Sequence, residues 1–177
     1  MLYYIHGYGS TPTSTKATLF QTKLNARAID YHPDKSRQID IELAQQRLMG
    51  SIQGDENPML IGSSFGGFLG AKVALECSKV RKLVLLNPLI IPPRASIGRL
   101  RGIPKRTLFQ MRGNSLFKNR IEAETTILMA TMDRLIPPEW ILEFAMAQET
   151  TVRFLRDDHS FSNSLTALPK IISEILV

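Results

Sequence analysis

The residues around Ser64 constrain this chain's fold most tightly. Pro58-Met59-Leu60-Ile61 is a short apolar run suited to a buried strand, and Phe68-Leu69-Gly70-Ala71-Lys72-Val73-Ala74-Leu75 has the small and apolar residues of a close-packed helix. Between them stands Gly62-Ser63-Ser64-Phe65-Gly66, a G-x-S-x-G pentapeptide. A chain that passes from strand to helix through this sequence turns sharply and raises its serine at the tip. Gly62 and Gly66 are needed because side chains there would collide with the neighbouring strand and helix. The pentapeptide alone carries little weight, since glycine and serine are common; its flanks make it informative.

The rest of the chain repeats the pattern. Leu2–Ile5 reads as a strand, followed by a Gly/Ser/Thr/Pro loop over 7–14 and a helix over Thr15–Asn25 with a Ser/Thr cap. Ala28–Tyr31 is a short second strand, and Ile39, Leu43 and Ile52 fall at helical spacing. After the segment around Ser64 come strands at Lys82–Leu86, Thr126–Thr131 and Val152–Leu155, a helix opened by Pro137-Pro138, and a closing amphipathic helix over Leu165–Val177. Strands separated by helices imply βαβ units, a mostly parallel sheet of about six strands, and helices on both faces. The irregular stretch is 87–120, Pro- and Arg-rich, inserted between strands four and five; insertions of this length in a compact domain are commonly lids.

At 177 residues and 44% hydrophobic the chain is expected to form one domain, 1–177, with a substantial core. No apolar run has the length of a transmembrane helix, and the N-terminus lacks the pattern of a signal peptide. A single cysteine, Cys77, excludes an internal disulfide and fits a reducing compartment, so the expected location is cytoplasmic. The net charge of +6 is unevenly spread. Eleven Lys and Arg lie between Cys77 and Ile121 with no Asp or Glu, whereas outside that segment eleven basic residues face sixteen acidic ones. The chain is therefore mildly acidic with one basic segment.

Serine is a weak nucleophile unless a base lies within hydrogen-bond reach and an acid fixes the tautomer of that base. In sheets with a serine at such a turn, the acid and then the base follow the serine along the chain, at the carboxyl ends of later strands. Asp133, where strand five ends, and His159, just past strand six, satisfy that order. Asp157 and Asp158 are rival acids, but they adjoin His159 on its own loop and are poorly placed to reach its ring. His6 reads as loop architecture, His32 as an exposed loop residue, and Cys77 and Trp140 as packing. The bland readings are a turn serine at 64, a surface histidine at 159 and a helix cap at 133. An oxyanion would be held by backbone N–H groups, one from Phe65 and one from Tyr8 in the loop His6-Gly7-Tyr8-Gly9-Ser10, where glycines allow close approach. No spacing of His, Asp and Cys suits a metal, and no Gly-rich nucleotide fingerprint is present, so no cofactor is expected.

Four segments together resemble the small bacterial α/β-hydrolase esterases of the YqiA/YcfP-like group. They are Tyr4-Ile5-His6-Gly7-Tyr8-Gly9-Ser10 with Thr15-Lys16-Ala17, Leu60 to Gly67, Leu85-Leu86-Asn87-Pro88, and the loops of Asp133 and His159. The resemblance implies a reduced three-layer α/β-hydrolase fold that begins at the third strand of larger relatives. It also implies esterase or thioesterase activity, with Ser64, Asp133 and His159 as a triad. The arginine density over Arg99–Arg106 departs from that pattern.

Two functions are expected to compete. In the first, Ser64 attacks a carboxylic ester or thioester of a small or medium acyl group and forms an acyl-enzyme. Leu89, Ile90, Leu135 and Phe161, with Ile91 and Ile136, then line an acyl pocket or else belong to the core. A basic lid over 87–120 would receive an anionic leaving group or an acidic carrier protein. In the second, the basic 79–120 segment binds an anion (an acyl carrier, CoA, membrane phosphate or nucleic acid) and the triad is a relic or non-hydrolytic. Nucleic acid is not expected, because the segment lacks aromatic interleaving apart from Phe109 and Phe117.

Overall fold

A computed structural model describes residues 1–34, 38–98 and 100–177; Arg99, the first of the arginines noted above, lies outside the described residues. The chain runs β1 (Leu2–Ile5), α1 (Thr15–Leu24), β2 (Arg27–Ala28), α2 (Ile41–Ile52), β3 (Met59–Ser63), α3 (Phe65–Glu76), β4 (Lys82–Leu86), α4 (Lys105–Met111), α5 (Ser115–Lys118), β5 (Glu124–Ala130), α6 (Pro138–Gln148), β6 (Thr151–Leu155) and α7 (Leu168–Leu176). The strands form one sheet in the order β2-β1-β3-β4-β5-β6, and every neighbouring pair is parallel.

Strand residues alternate between two cores, as the period of two requires. Tyr3, Ile5, Leu60, Leu83, Leu85 and Ile127 face one core, with the apolar sides of α2, α3 and α6. Leu2, Tyr4, Ile61, Val84, Leu86 and Leu128 face the other, with α1 and α7. The division follows from handedness. The connection from β1 to β2 runs one way along the sheet, and every later connection runs the opposite way. Right-handed crossovers therefore put α1 on one face and α2 to α6 on the other. The direction reverses between β1 and β3. The carboxyl ends of those two strands diverge there and leave the crevice in which parallel sheets bind ligands.

Apart from shifts of one or two residues at strand ends, three regions differ from the sequence expectation. β2 is only two residues long: after Ile29 N–H bonds to Tyr4 O (3.0 Å) the chain leaves the sheet, and the Tyr31 hydroxyl turns inward to donate to His6 O (3.1 Å). α7 begins at Leu168 rather than Leu165, because Ser162, Asn163 and Ser164 give their N–H groups to the carboxylates of Asp157 and Asp158 and hold a non-helical loop. The 87–120 stretch, where the sequence suggested a lid, contains α4 and α5 and packs Leu108, Met111 and Leu116 into the core of the α2/α3 face. No helix among the described residues is long and apolar enough to cross a membrane.

Candidate active site

Ser64 stands between the end of β3 and the start of α3 with φ 54° and ψ −117°, a backbone conformation that ordinary residues rarely adopt. The glycines explain how it is held. A methyl group on Gly62 would sit 2.6 Å from the Gly66 carbonyl oxygen and 2.7 Å from Gly67 Cα. One on Gly66 would run into the Ile5 and His6 carbonyl oxygens, so β1 rests directly on the first turn of α3. Gly67, which the sequence reading did not single out, is packed against Pro88, 2.9 Å from where its own Cβ would be. The Ser64 carbonyl accepts from Gly67, Phe68 and Leu89 N–H, tying the turn to the chain just past β4.

The structure brings Ser64, His159 and Asp133 together. His159 Nε2 lies 3.1 Å from Ser64 Oγ, and His159 Nδ1 lies 2.7 Å from Asp133 Oδ2. An ionised carboxylate only accepts hydrogen bonds, so Nδ1 carries the ring proton and Nε2 is left to accept from the serine hydroxyl. Asp133 is almost wholly buried, its side chain 4% exposed. Its second oxygen accepts from Leu135 N–H (2.7 Å) and Ile136 N–H (3.2 Å), so the carboxylate both caps its own loop and orients the imidazole. The rival acids are occupied elsewhere. Asp157 Oδ1 accepts from Asp158 and Asn163 and Oδ2 from Ser164, while Asp158 holds Ser160 and Ser162. Burial alone would raise the Asp157 carboxyl; these donors outweigh it and keep the group below the usual carboxylate range.

Asn87 and Tyr31 support the site, and the sequence reading missed both. Asn87 is fully buried at the end of β4; its amide oxygen accepts from Ala130 N–H (2.7 Å) and its nitrogen donates to His159 O (3.0 Å). A polar residue closing the apolar run Leu83–Leu86 was the available signal. Tyr31 holds the β1 loop through His6 O and Gly7 O and stacks on the His6 ring at 4.4 Å. His6 itself is buried, and burial lowers its pKa against the smaller opposing effects of the Gly7 carbonyl and Asp30. It is loop architecture, as the sequence suggested.

The candidate oxyanion donors stand as follows. Phe65 opens α3, so its N–H lies beyond the reach of the helix's own carbonyls. A Cβ on Gly7 would lie 3.5 Å from Ser64 Cβ, which puts the loop carrying Tyr8 against the serine. The Tyr8 ring packs edge-on to Phe65 at 6.0 Å.

Two cavities flank His159. One, about 370 Å³, lies over the β1 loop and the start of α1, and Ser64, Tyr8, Lys16 and Ser162 are among the residues lining it. The other, about 340 Å³, is lined by Met132, Arg134, Leu135, Asp158, His159 and Ser160. No described residue of 87–120 lines either one. This corrects the expected acyl pocket. Leu89 and Ile90, with Ile91, are buried in the core of the α2/α3 face. Phe161 is buried in the opposite core with α1 and α7. Only Leu135, 56% exposed, stands at a cavity beside the triad. Apolar character did not separate pocket from core. A larger groove of about 800 Å³ runs between α2 and the far end of α3 and contains none of the three residues.

The basic segment is partly neutralised by acids from outside it. Lys79 pairs with Glu56 (3.1 Å), Lys82 with Glu124 (3.5 Å) and Arg120 with Glu149 (2.6 Å), and Arg112 donates to Pro93 O. Among the described residues, no group of three or more His, Cys, Asp or Glu is arranged to hold a metal ion.

Solved structures with this architecture share little sequence with it. Est1E from Butyrivibrio proteoclasticus, in a structure with ferulic acid bound, superposes with a TM-score of 0.80 at 14% identity, covering 99% of this chain and 87% of that one. A monoacylglycerol lipase from Paleococcus ferrophilus gives 0.77 at 18% identity, covering 99% and 93%. The mouse α/β hydrolase domain-containing protein 10 gives 0.71 at 17% identity, covering 99% and 88%. None of the curated proteins matches the sequence. The model of one protein family, described as the uncharacterised family UPF0227, matches residues 1–174. The chain therefore belongs to the UPF0227 family and is built on a reduced α/β-hydrolase fold.

Proposed function

We propose that this chain is a serine hydrolase that cleaves carboxylic esters or thioesters of small or medium acyl groups. The observation that carries the reading is the unbroken chain from Ser64 Oγ through both His159 nitrogens to Asp133 Oδ2, at 3.1 and 2.7 Å. Ser64 Oγ attacks the acyl carbon while His159 Nε2 takes its proton. The imidazolium hands that proton to the departing alcohol or thiol as the carbon–oxygen or carbon–sulfur bond breaks. Water, deprotonated by the same nitrogen, then releases the acid from the acyl-enzyme. Asp133 stabilises the imidazolium, and the N–H groups of Phe65 and Tyr8 hold the oxyanion. The cavities on the two sides of His159 give room for the two arms of an ester, each suited to a modest group. The esterase and lipase among the structural neighbours support the same reaction class, and no step calls for a cofactor. Cys77, a free thiol, suits a reducing, cytoplasmic setting.

A relic triad serving only as scaffold would have no need of a buried carboxylate and an imidazole in reactive register. The test is a panel of p-nitrophenyl esters of two to twelve carbons beside the matching acyl thioesters, with Ser64→Ala as the blank. The proposal expects Ser64-dependent turnover that peaks at short or medium chains. Turnover equal in the blank would overturn it.

A further inference from the structure

Lys16 occupies an unusual position. It lies in the first turn of α1 and lines the cavity that also reaches Ser64 and His159. A cation in the first turn of a helix is opposed by the helix dipole. Burial lowers the Lys16 pKa, more than the attraction of Asp158 and Asp157 raises it. The fold gives little in return. Lys16 forms no ion pair among the described residues, and its one close partner is the face of Phe161, 5.7 Å from ammonium to ring centroid. The two carboxylates that attract it already accept from N–H groups of their own loop, those of Asp158, Ser160, Ser162, Asn163 and Ser164.

The cavity matches that picture. No Asp or Glu lines it, and Lys16 is its one lysine or arginine. Its lining also includes Ser10, Ser160 and Ser162, of which the Ser162 hydroxyl donates to Asp158 Oδ2 (2.8 Å). One cation beside serine hydroxyls, in a lining without an acid, is the chemistry that receives a carboxylate or a phosphate. An arriving anion would supply the counter-charge that the partly desolvated ammonium lacks.

We propose that this cavity is the subsite for a negatively charged group on the substrate, a carboxylate or phosphate attached to the ester or thioester, with the Lys16 ammonium as its counter-ion. The inference rests on Ser64 being the nucleophile, and it moves anion recognition from the basic 79–120 segment to α1.

The experiment measures a ratio, kcat/KM for a charged substrate over that for its neutral twin. One pair places the charge on the acyl side: mono-p-nitrophenyl adipate against methyl p-nitrophenyl adipate. The other places it on the leaving group: the butyryl thioester of 4′-phosphopantetheine against that of pantetheine. The pair that responds identifies which arm enters the cavity. In that pair the wild-type ratio exceeds one, falls about tenfold or more in Lys16→Met, and is largely restored in Lys16→Arg. Lys105→Met, in the basic segment but lining neither cavity, keeps the wild-type ratio. A wild-type ratio at or below one in both pairs overturns the proposal, as does a ratio that Lys16→Met leaves unchanged. Labelling by a neutral fluorophosphonate separates the two levels. A wild-type protein that is labelled but shows no preference for charge sinks this inference alone. One that is neither labelled nor active sinks the hydrolase reading, and this inference with it.

Discussion

The side-chain amide of Asn87 donates to the backbone carbonyl of His159 at 3.0 Å, so the strand beside the serine turn holds the loop that carries the imidazole. The same side chain accepts from Ala130 N–H at 2.7 Å, and its backbone N–H donates to Leu128 O at 3.0 Å. One buried residue thus ties together β4, β5 and the loop after β6. Its φ of 42° is one that asparagine tolerates better than most residues. Asn87→Ala leaves the Ala130 N–H buried without a partner, and the expected loss is about 2 kcal/mol of stability in denaturant unfolding. kcat on a p-nitrophenyl ester should also drop by about tenfold or more, because His159 loses a tether.

Asp133→Asn tests the assignment of the acid. Asparagine keeps the shape but can donate to Nδ1, which favours the ring tautomer that cannot take the serine proton. The expected result is a fall in kcat of about 10⁴ with the thermal midpoint little changed. A fall of less than about tenfold would mean that the carboxylate serves its loop and not the histidine.

Gly66→Ala tests the contact between β1 and α3. Its methyl group meets the backbone carbonyls of Ile5, the last residue of β1, and His6, which follows it, and these cannot move without disturbing the sheet. The expected cost is about 3 kcal/mol, enough to reduce the yield of folded protein. Gly50→Ala is the contrast: it lies inside α2 with nothing within 4 Å of the added carbon, and helix propensity predicts a gain of about 0.5–1 kcal/mol.

How much of this was legible in the sequence varied from place to place. β1 and β4 were found residue for residue, because their apolar runs are short and bounded by a loop or by Asn87-Pro88. The order Ser64, Asp133, His159 was legible because each stands at the carboxyl end of a strand, where a parallel sheet puts its loops. β2 was overextended, since Ile29 and Tyr31 have strand character but spend it on the core and on the β1 loop. The pocket was misplaced because Leu89, Ile90 and Phe161 are apolar in the same way whether they line a cavity or fill a core. Lys16 and Asn87 were not picked out as site residues: their contacts are with the distant 157–163 loop, which spacing along the chain does not encode, and the one signal was the polar Asn87 closing the apolar run of β4.

Stability should depend on pH through His6. Its pKa is lowered in the folded protein, chiefly by burial, so below the ordinary imidazole value the unfolded chain binds a proton that the folded chain refuses. The contribution is fully present above a pH of about 6.5 and is lost as pH falls through that value toward the folded pKa. The melting temperature of the wild type should therefore drop between about pH 7 and pH 5, and the slope should be shallower in His6→Asn. Equal slopes would place the dependence on other groups.

The central claim is that Ser64 is a nucleophile activated by His159. The most direct measurement is labelling of the intact protein by a fluorophosphonate, with mass spectrometry to locate the adduct. The account predicts one adduct, on Ser64, absent in Ser64→Ala and slowed by orders of magnitude in His159→Ala, with Ser64→Ala also lowering kcat by about 10⁴ or more. A folded wild-type protein that takes no label, or that carries it on another residue, would contradict the account.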